Sequence, residues 1–478
     1  MKKNYLKWMA VLFAAIVSLS FVSCGGDDKD DPDTPEPVIN PVEPTGSDAM
    51  SPADQKEFLE TVAMELMNMM PASDFRDIAE LGKYIADTYC DDYDWSRVED
   101  WAEDAFDAAR EALGTQTVDT ETESWGGYRY IYNRIYTDYK ALLLASNFKG
   151  HFTARNGRWI QESADDLQFI FTDRNNQQCV VKLETGGSVK KVHAFDLNDR
   201  DGYDYDSNGS TSTTNEYYNR TQYTIGVPEN IVVTLTQGGT LVVKTTVNID
   251  LGNIIDEEFD ISKGNVTVSV LVELNNGYKF NLSKVAYTAN TNVSVSFTMS
   301  KNGTSIITMG TAADVFDIPS VNVSAFSSSS FDEDDYDFDS ANAKNAFVKV
   351  DVLGKVQLQG TVADVRKFVN YLEKADDNNR DERNYKSYIN QANALTDVNL
   401  FYNGNNVKQA SVKLEPFAEE RWNGTTKWEA EPVLYFFDGS SYSTFSAFFN
   451  EDDFKSTIDT FKALANRYAD LIDKRIDW

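Results

Sequence analysis

The alternation of apolar and polar residues across 151–316 constrains the fold more than any other feature of this sequence. Between 266 and 274, valines and a leucine occupy the even positions, whereas the odd positions are mostly Thr, Ser and Glu. The stretch 241–249 alternates in the same way. Because successive side chains of a strand point to opposite faces, this period of two predicts half-buried antiparallel strands.

Glycine-containing pairs separate the alternating stretches and mark the turns between them. A glycine permits the positive φ that tight hairpin turns require. The pairs are Gly186-Gly187, Gly238-Gly239, Asn276-Gly277 and Asn302-Gly303. Strands joined by such turns form a meander, so we expect one large twisted sheet with an apolar face.

Helical spacing dominates on both sides of this region. Ser51 and Pro52 are a typical N-cap and first helical residue, and three short helices are expected between 51 and 113, the last ending at Gly114. The stretch 128–145 fits both periods, and its Ala- and Leu-rich end favours a helix. Further helices are expected at 362–372, 385–395 and 452–472, and further strands at 346–359, 397–402, 411–414, 433–437 and 442–449. The predicted fold class is α+β, with short N-terminal helices, an antiparallel β-meander, and C-terminal helices and strands.

The charge balance bears on possible partners. The chain has 76 acidic and 44 basic side chains, a formal net charge of −32. Nucleic acid is therefore not an expected partner, since phosphate binding needs surplus Lys and Arg. Two histidines and three cysteines are too few for zinc fingers or iron–sulfur clusters. Cys90 and Cys179 are predicted either to form one disulfide or to stay free.

The N-terminus carries an export pattern. Lysines precede an uncharged, mostly apolar stretch at 8–22, which is too short to span a bilayer comfortably. Cys24 follows, and an acidic tract begins at Asp27. This pattern resembles the signal and export tract of surface-exposed outer-membrane lipoproteins of Bacteroidota. The resemblance covers 1–31 and implies cleavage before Cys24, acylation of that cysteine, and display on the outer face of the outer membrane.

These patterns divide the chain into six parts. Pro and acidic residues after Cys24 indicate a disordered tether rather than a folded unit. The predicted parts are a signal peptide (1–23), the tether (24–50), a helical segment (51–124), a β-rich domain (125–326), an acidic Ser/Asp linker or loop (327–345) and an α+β portion that could continue the same sheet (346–478).

One stretch has the spacing of calcium ligands. Asp204, Asp206, Asn208 and Gly209 match the first half of an EF-hand loop, in which alternate oxygens bind the ion. The twelfth position should be Glu but is Asn215. A nonstandard calcium site and a solvated Asp/Asn turn are both compatible with this sequence, and calcium is the one cofactor it suggests.

Two further motifs are candidates for surface recognition. Trp422 and Trp428 flank an Asn-Gly turn and could stack on a sugar or peptide, or fold back onto the sheet. Ser340 lies in an Asp-Ser-Ala triplet that resembles the O-glycosylation acceptor of Bacteroidota proteins.

The search for catalytic motifs is negative, since the sequence contains no H-E-x-x-H, G-x-S-x-G or G-x-x-x-x-G-K. The first hypothesis is a lipid-anchored, non-catalytic binding or structural module for a glycan or protein partner. The alternatives are a glycan hydrolase that uses two carboxylates and a carrier of lipids or other apolar ligands.

Overall fold

The computed structural model describes residues 49–90, 93–252, 254, 263–316, 342–420, 426–438, 443–450 and 453–471. Within these residues, eighteen strands join in one sheet, and the helices precede, interrupt and follow them. The predicted α+β class is confirmed.

The strands are long and mostly consecutive along the chain. They are β1 (Arg110–Trp125), β2 (Tyr128–Leu144), β3 (Gly150–Arg155), β4 (Arg158–Glu162), β5 (Leu167–Thr172), β6 (Gln178–Asn208), β7 (Thr211–Gln237), β8 (Thr240–Gly252), β9 (Asn265–Leu274), β10 (Tyr278–Thr288), β11 (Asn292–Lys301), β12 (Thr304–Phe316), β13 (Asn342–Val352), β14 (Val356–Asp364), β15 (Thr396–Tyr402), β16 (Lys408–Glu420), β17 (Thr426–Phe436) and β18 (Ser443–Thr444).

The helices cluster at the two ends of the chain and between β14 and β15. They are α1 (Pro52–Met69), α2 (Arg76–Ile85), α3 (Ser96–Ala108), α4 (Val365–Asp377), α5 (Glu382–Asn393), the single turn α6 (Phe445–Phe448) and α7 (Lys455–Leu471). Short 3₁₀ turns cover Ala72–Phe75 and Ala145–Asn147, and a π turn covers Ala86–Cys90.

The second half of the sheet is the expected meander. From β7 to β18, each strand pairs antiparallel with the next. Asn302 and Gly303 adopt φ of 52° and 82° in the β11–β12 turn, the left-handed geometry that an Asn-Gly hairpin requires. Since β13 pairs with β12, the C-terminal strands continue the earlier sheet.

Strands β6 and β7 are much longer than the others, with 31 and 27 residues. Their inner halves pair with β5 and β8, in the body of the sheet. Their outer halves pair with each other, and β2 lies parallel to the first half of β7 with β1 beside it. We call this four-stranded extension the arm; it consists of β1, β2, 190–208 of β6 and 211–226 of β7.

The helices pack on the apolar face of the sheet. Val293 and Met299 lie on the same face of β11 because they are six residues apart in a strand. Phe368 of α4 packs against the cluster that contains Val293, and Leu66 of α1 packs against the cluster that contains Met299. Helices therefore cover this face near both ends of the strands. At the base of the arm, α3 contributes Phe106 to a cluster with Leu143 and Tyr223.

Several local predictions are wrong. Gly186 and Gly187 do not form a turn between two strands but lie at an irregularity within β6, where the pairing with β7 shifts between Gly186 and Val189. The third helix ends at Ala108, and 110–125 is strand β1. The stretch 128–145 is mostly strand β2, because its tyrosines suit a sheet and pairing with β1 and β7 outweighs the helical propensity of its alanines and leucines. In the expected strand 442–449, only Ser443–Thr444 is extended, and the helical turn α6 follows.

The expected strand 346–359 is two strands. The chain reverses at Leu353 and Gly354, which both have positive φ, so β13 and β14 form a hairpin. The neighbouring 317–341, with most of the predicted acidic linker, lies outside the described residues.

Candidate functional site

The arm has one face rich in aromatic side chains. Because side chains alternate along a strand, the pairing register shows which residues share a face. Tyr130 pairs with Glu123 and Ser212, and Tyr132 pairs with Glu121 and Thr214. We call this face the platform; its aromatic residues are Trp125, Tyr128, Tyr130, Tyr132, Tyr136, Tyr203, Tyr205 and Tyr218.

The outer part of the platform is a shallow trough. Tyr130 and Tyr132 on β2 form one wall, and Tyr205 on β6 forms the other. Between them, β7 contributes the small hydroxyl side chains of Ser212 and Thr214. Two strand spacings separate β2 from β6, so the backbones that carry these rings lie about 10 Å apart. Rings therefore flank a hydroxyl-lined floor.

The aromatic side chains near the tip of the arm are open to solvent. The exposed fractions are 73% for Trp125, 54% for Tyr128, 66% for Tyr203 and 63% for Tyr205. The Tyr205 hydroxyl donates to Ser212 Oγ at 3.1 Å, so its ring leans towards β7 while remaining exposed. Several large exposed aromatic side chains grouped on one face are typical of interaction sites.

The base of the platform is held by Arg220. Its guanidinium donates to both carboxylate oxygens of Asp138, at 2.7 and 3.0 Å, and to Thr117 Oγ1 at 2.9 Å. The group also lies 4.4 Å from the centre of the Tyr136 ring, which stacks on Tyr218. The hydrogen bond to Asp138 raises the pKa of Arg220. One side chain thus ties β7 to β2 and β1.

The positive charges of the platform are paired within it. Arg200 binds Glu216 at 2.7 Å, and Arg134 lies 3.7 Å from Asp119 and 3.6 Å from Glu121. The hydrogen bond from the Tyr218 hydroxyl to Glu216 raises the pKa of that tyrosine. The surface therefore has no surplus positive charge to attract an anionic ligand.

The predicted calcium ligands lie on the opposite face of the arm. Asp204, Asp206 and Asn208 belong to β6, so the predicted loop conformation is wrong. Their side chains are spaced along an extended strand and do not converge, and Asp204 accepts a hydrogen bond from the Tyr217 hydroxyl at 2.9 Å. Among the described residues, no three His, Cys, Asp or Glu side chains are grouped so as to hold a metal ion. Calcium binding here stays a prediction.

The other sites predicted from the sequence lie either away from the arm or outside the described residues. Trp428 is half-buried beside α5, and the Lys386 ammonium lies 4.4 Å from the centre of its ring. This position favours the alternative in which Trp428 folds back onto the protein and does not stack on a ligand. Trp422, Cys24 and Ser340 lie outside the described residues. Cys90 and Cys179 are free thiols, which excludes the disulfide in this structure.

A His–Asp pair lies away from the arm, where β3 pairs with β5. His151 Nε2 is 2.6 Å from Asp166, which also accepts a hydrogen bond from Gln168. The hydrogen bonds from Gln168 and His151 lower the pKa of Asp166 to about 2. Lys182 lies 3.5 Å from the same carboxylate. Asp166 thus accepts polar contacts from residues of three paired strands, β3, β5 and β6.

A groove between α1 and α7 has a volume of about 590 Å³. Its lining includes Glu57, Glu60 and Glu65. An apolar ligand would have to desolvate these carboxylates, which makes the groove a poor site for a lipid.

Comparisons with family models, with curated proteins and with solved structures give no match to this chain. In the part of the chain that the structure describes, no helix is both long enough and apolar enough to cross a membrane.

Sequence reasoning missed the platform although its signal was present. Tyr128, Tyr130 and Tyr132 alternate along the chain as strand residues do. A helix over the whole of 128–145, as predicted from its Ala- and Leu-rich end, does not place these three rings on one face. The partners on β6 and β7 are too distant in sequence for any local pattern to connect them.

Proposed function

We propose that this protein is a lipid-anchored, surface-displayed outer-membrane protein that binds glycans without catalysis, and that the platform is its binding surface. The resemblance of 1–31 to a lipoprotein signal supports the anchor at Cys24. The tether of 24–50 would hold the folded part away from the membrane.

The observation that carries the proposal is the exposed aromatic platform on an extension of the sheet. Aromatic rings present flat apolar faces with polar tips, and they lose little side-chain entropy on binding. The apolar face of a sugar ring stacks on such a surface, while its hydroxyls can bond to Ser212, Thr214 and the tyrosine hydroxyls. The trough therefore matches a chain of sugars in both its apolar and its polar groups.

Charge favours an uncharged glycan over an acidic one. The arginines of the platform are already paired, and Glu123 adds a further carboxylate on the same face. An anionic polysaccharide would be repelled by these carboxylates and by the net charge of −32. We therefore expect neutral polysaccharides or oligosaccharides as ligands.

The test is a glycan-binding screen with the full chain in detergent micelles. The double substitution of Tyr130→Ala and Tyr132→Ala should weaken binding of the best neutral glycan about tenfold or more. The reason is that it removes two stacking contacts, each worth about 0.5–1.5 kcal/mol. The matched control is Tyr217→Ala, which removes a ring from the opposite face of the arm and should leave affinity unchanged.

Three results would count against the proposal. Binding that survives the double substitution would place the glycan site elsewhere, and a screen with no neutral ligand would remove the glycan hypothesis. Cleavage of a bound glycan would favour the hydrolase instead of a non-catalytic module.

A further inference from the structure

The arm has two outer edges, and β1 forms one of them. In the described residues, β1 pairs with β2 on one side only. Every residue of 116–125 is exposed. The backbone N–H and C=O groups on the outer side of an edge strand are unpaired and can receive another strand.

The two edges of the arm differ in regularity. The outer half of β6 is interrupted by register shifts between His193 and Phe195 and between Arg200 and Gly202. Such bulges twist an edge and hinder further pairing. Over 116–125, β1 pairs with β2 without a shift, and the run contains no proline. The β6 edge is thus protected, whereas the β1 edge is regular over ten residues.

The side chains of β1 determine which strand could pair with it. Asp119, Glu121 and Glu123 alternate along the platform face, with threonines between them. A second copy of β1 would place carboxylates beside carboxylates, and like charges on neighbouring strands are destabilising. Asp119 and Glu121 lie 3.7 and 3.6 Å from Arg134, but their side chains are 67% and 58% exposed, so both acids remain accessible to another cation.

We propose that the β1 edge binds an extended cationic segment of a partner protein, which adds to the arm as a fifth strand. Backbone hydrogen bonds along the open edge would provide the pairing. Lysines or arginines at every second position of the segment would lie beside the three acids. This inference does not depend on glycan binding, because it uses the edge of the arm and not the rings.

The experiment measures binding of labelled nonapeptides to the full chain by fluorescence anisotropy at low and at physiological salt. The probe alternates Thr and Lys and has blocked termini. One control alternates Thr and Glu, and a second keeps the Thr/Lys sequence but carries N-methyl groups on alternate backbone nitrogens. The Thr/Lys peptide should bind at least about tenfold more tightly than either control.

A charge-reversed variant tests the assignment of the edge. The combined substitution Asp119→Lys, Glu121→Lys and Glu123→Lys should invert the preference, so that the Thr/Glu peptide binds and the Thr/Lys peptide does not. The matched control reverses Asp199, Asp201 and Asp206 on the β6 edge and should leave the preference unchanged.

Three outcomes would overturn the proposal. Equal binding of the N-methylated peptide would show plain ionic attraction without strand pairing. If the β6 substitutions invert the peptide preference and the β1 substitutions do not, the peptide binds the β6 edge and the assignment to β1 is wrong. Absence of Thr/Lys binding to the unmodified chain would leave the β1 edge without a cationic partner.

Discussion

Replacing Arg220 should loosen the arm without unfolding the body. The guanidinium contacts Asp138, Thr117 and the Tyr136 ring, and so connects three of the four strands of the arm. Its side chain is 43% exposed and that of Asp138 is 25% exposed, so water and salt weaken the ion pair. We count the ion pair at no more than about 1 kcal/mol and the cation–π contact at about 0.5–1 kcal/mol.

The sum for Arg220→Ala is about 0.5–2 kcal/mol of local stability, which corresponds to roughly twofold to thirtyfold faster opening. Hydrogen exchange read by mass spectrometry measures this directly, since local opening sets the exchange rate of the amides it exposes. We expect faster exchange in β1, β2 and the outer half of β7. The β9–β15 meander should exchange as before.

Arg220→Lys is the matched variant, because lysine keeps the charge but cannot form the two-pronged contact with Asp138. Its effect should lie between those of the unmodified chain and Arg220→Ala. Unchanged exchange in the arm of Arg220→Ala, or faster exchange throughout the sheet, would show that Arg220 does not stabilise the arm locally.

Three other predictions concern the body. Asp166→Asn should lower the melting temperature near pH 7, because a carboxylate whose pKa is lowered from 3.8 stabilises the fold while it is ionised. This difference in melting temperature should vanish as the pH falls through about 2, where the carboxylate becomes protonated. An unchanged difference at low pH would contradict this prediction. Tyr402→Phe leaves the fully buried Gln55 Oε1 without its donor and should cost about 1–3 kcal/mol in urea unfolding, whereas a cost near zero would mean that the bond contributes nothing. Phe152→Ala empties a site with no solvent exposure and should cost about 3–5 kcal/mol, and a loss below about 1 kcal/mol would show that the cluster around it can collapse.

The meander could be predicted from the sequence because each hairpin is encoded locally. Alternation at 266–274 and the Asn-Gly turn at 302–303 each specify structure within about ten residues, and antiparallel neighbours need no distant information. The starts of α4 and α5 could be predicted only approximately. Asp364 and Asp381 accept the capping hydrogen bonds there, so these helices begin three residues from the predicted starts, at Val365 and Glu382.

The arm could not be predicted because long-range pairing creates it. β2 lies beside β7 although Tyr130 and Ser212 are far apart in the chain, and a parallel pair has no turn to mark it. The same pairing converts a stretch with helical character into a strand. The platform depends on this register, since a shift by one residue would move every ring to the other face.

The binding footprint of a neutral glycan on the full chain shows whether the platform is the binding surface. Hydrogen exchange with and without the best ligand of the screen should show slower exchange in β2 around Tyr130 and in β7 around Ser212. The acidic groove between α1 and α7 should be unaffected. Protection confined to that groove or to the helices, with the arm unchanged, would contradict the assignment of the platform as the binding surface.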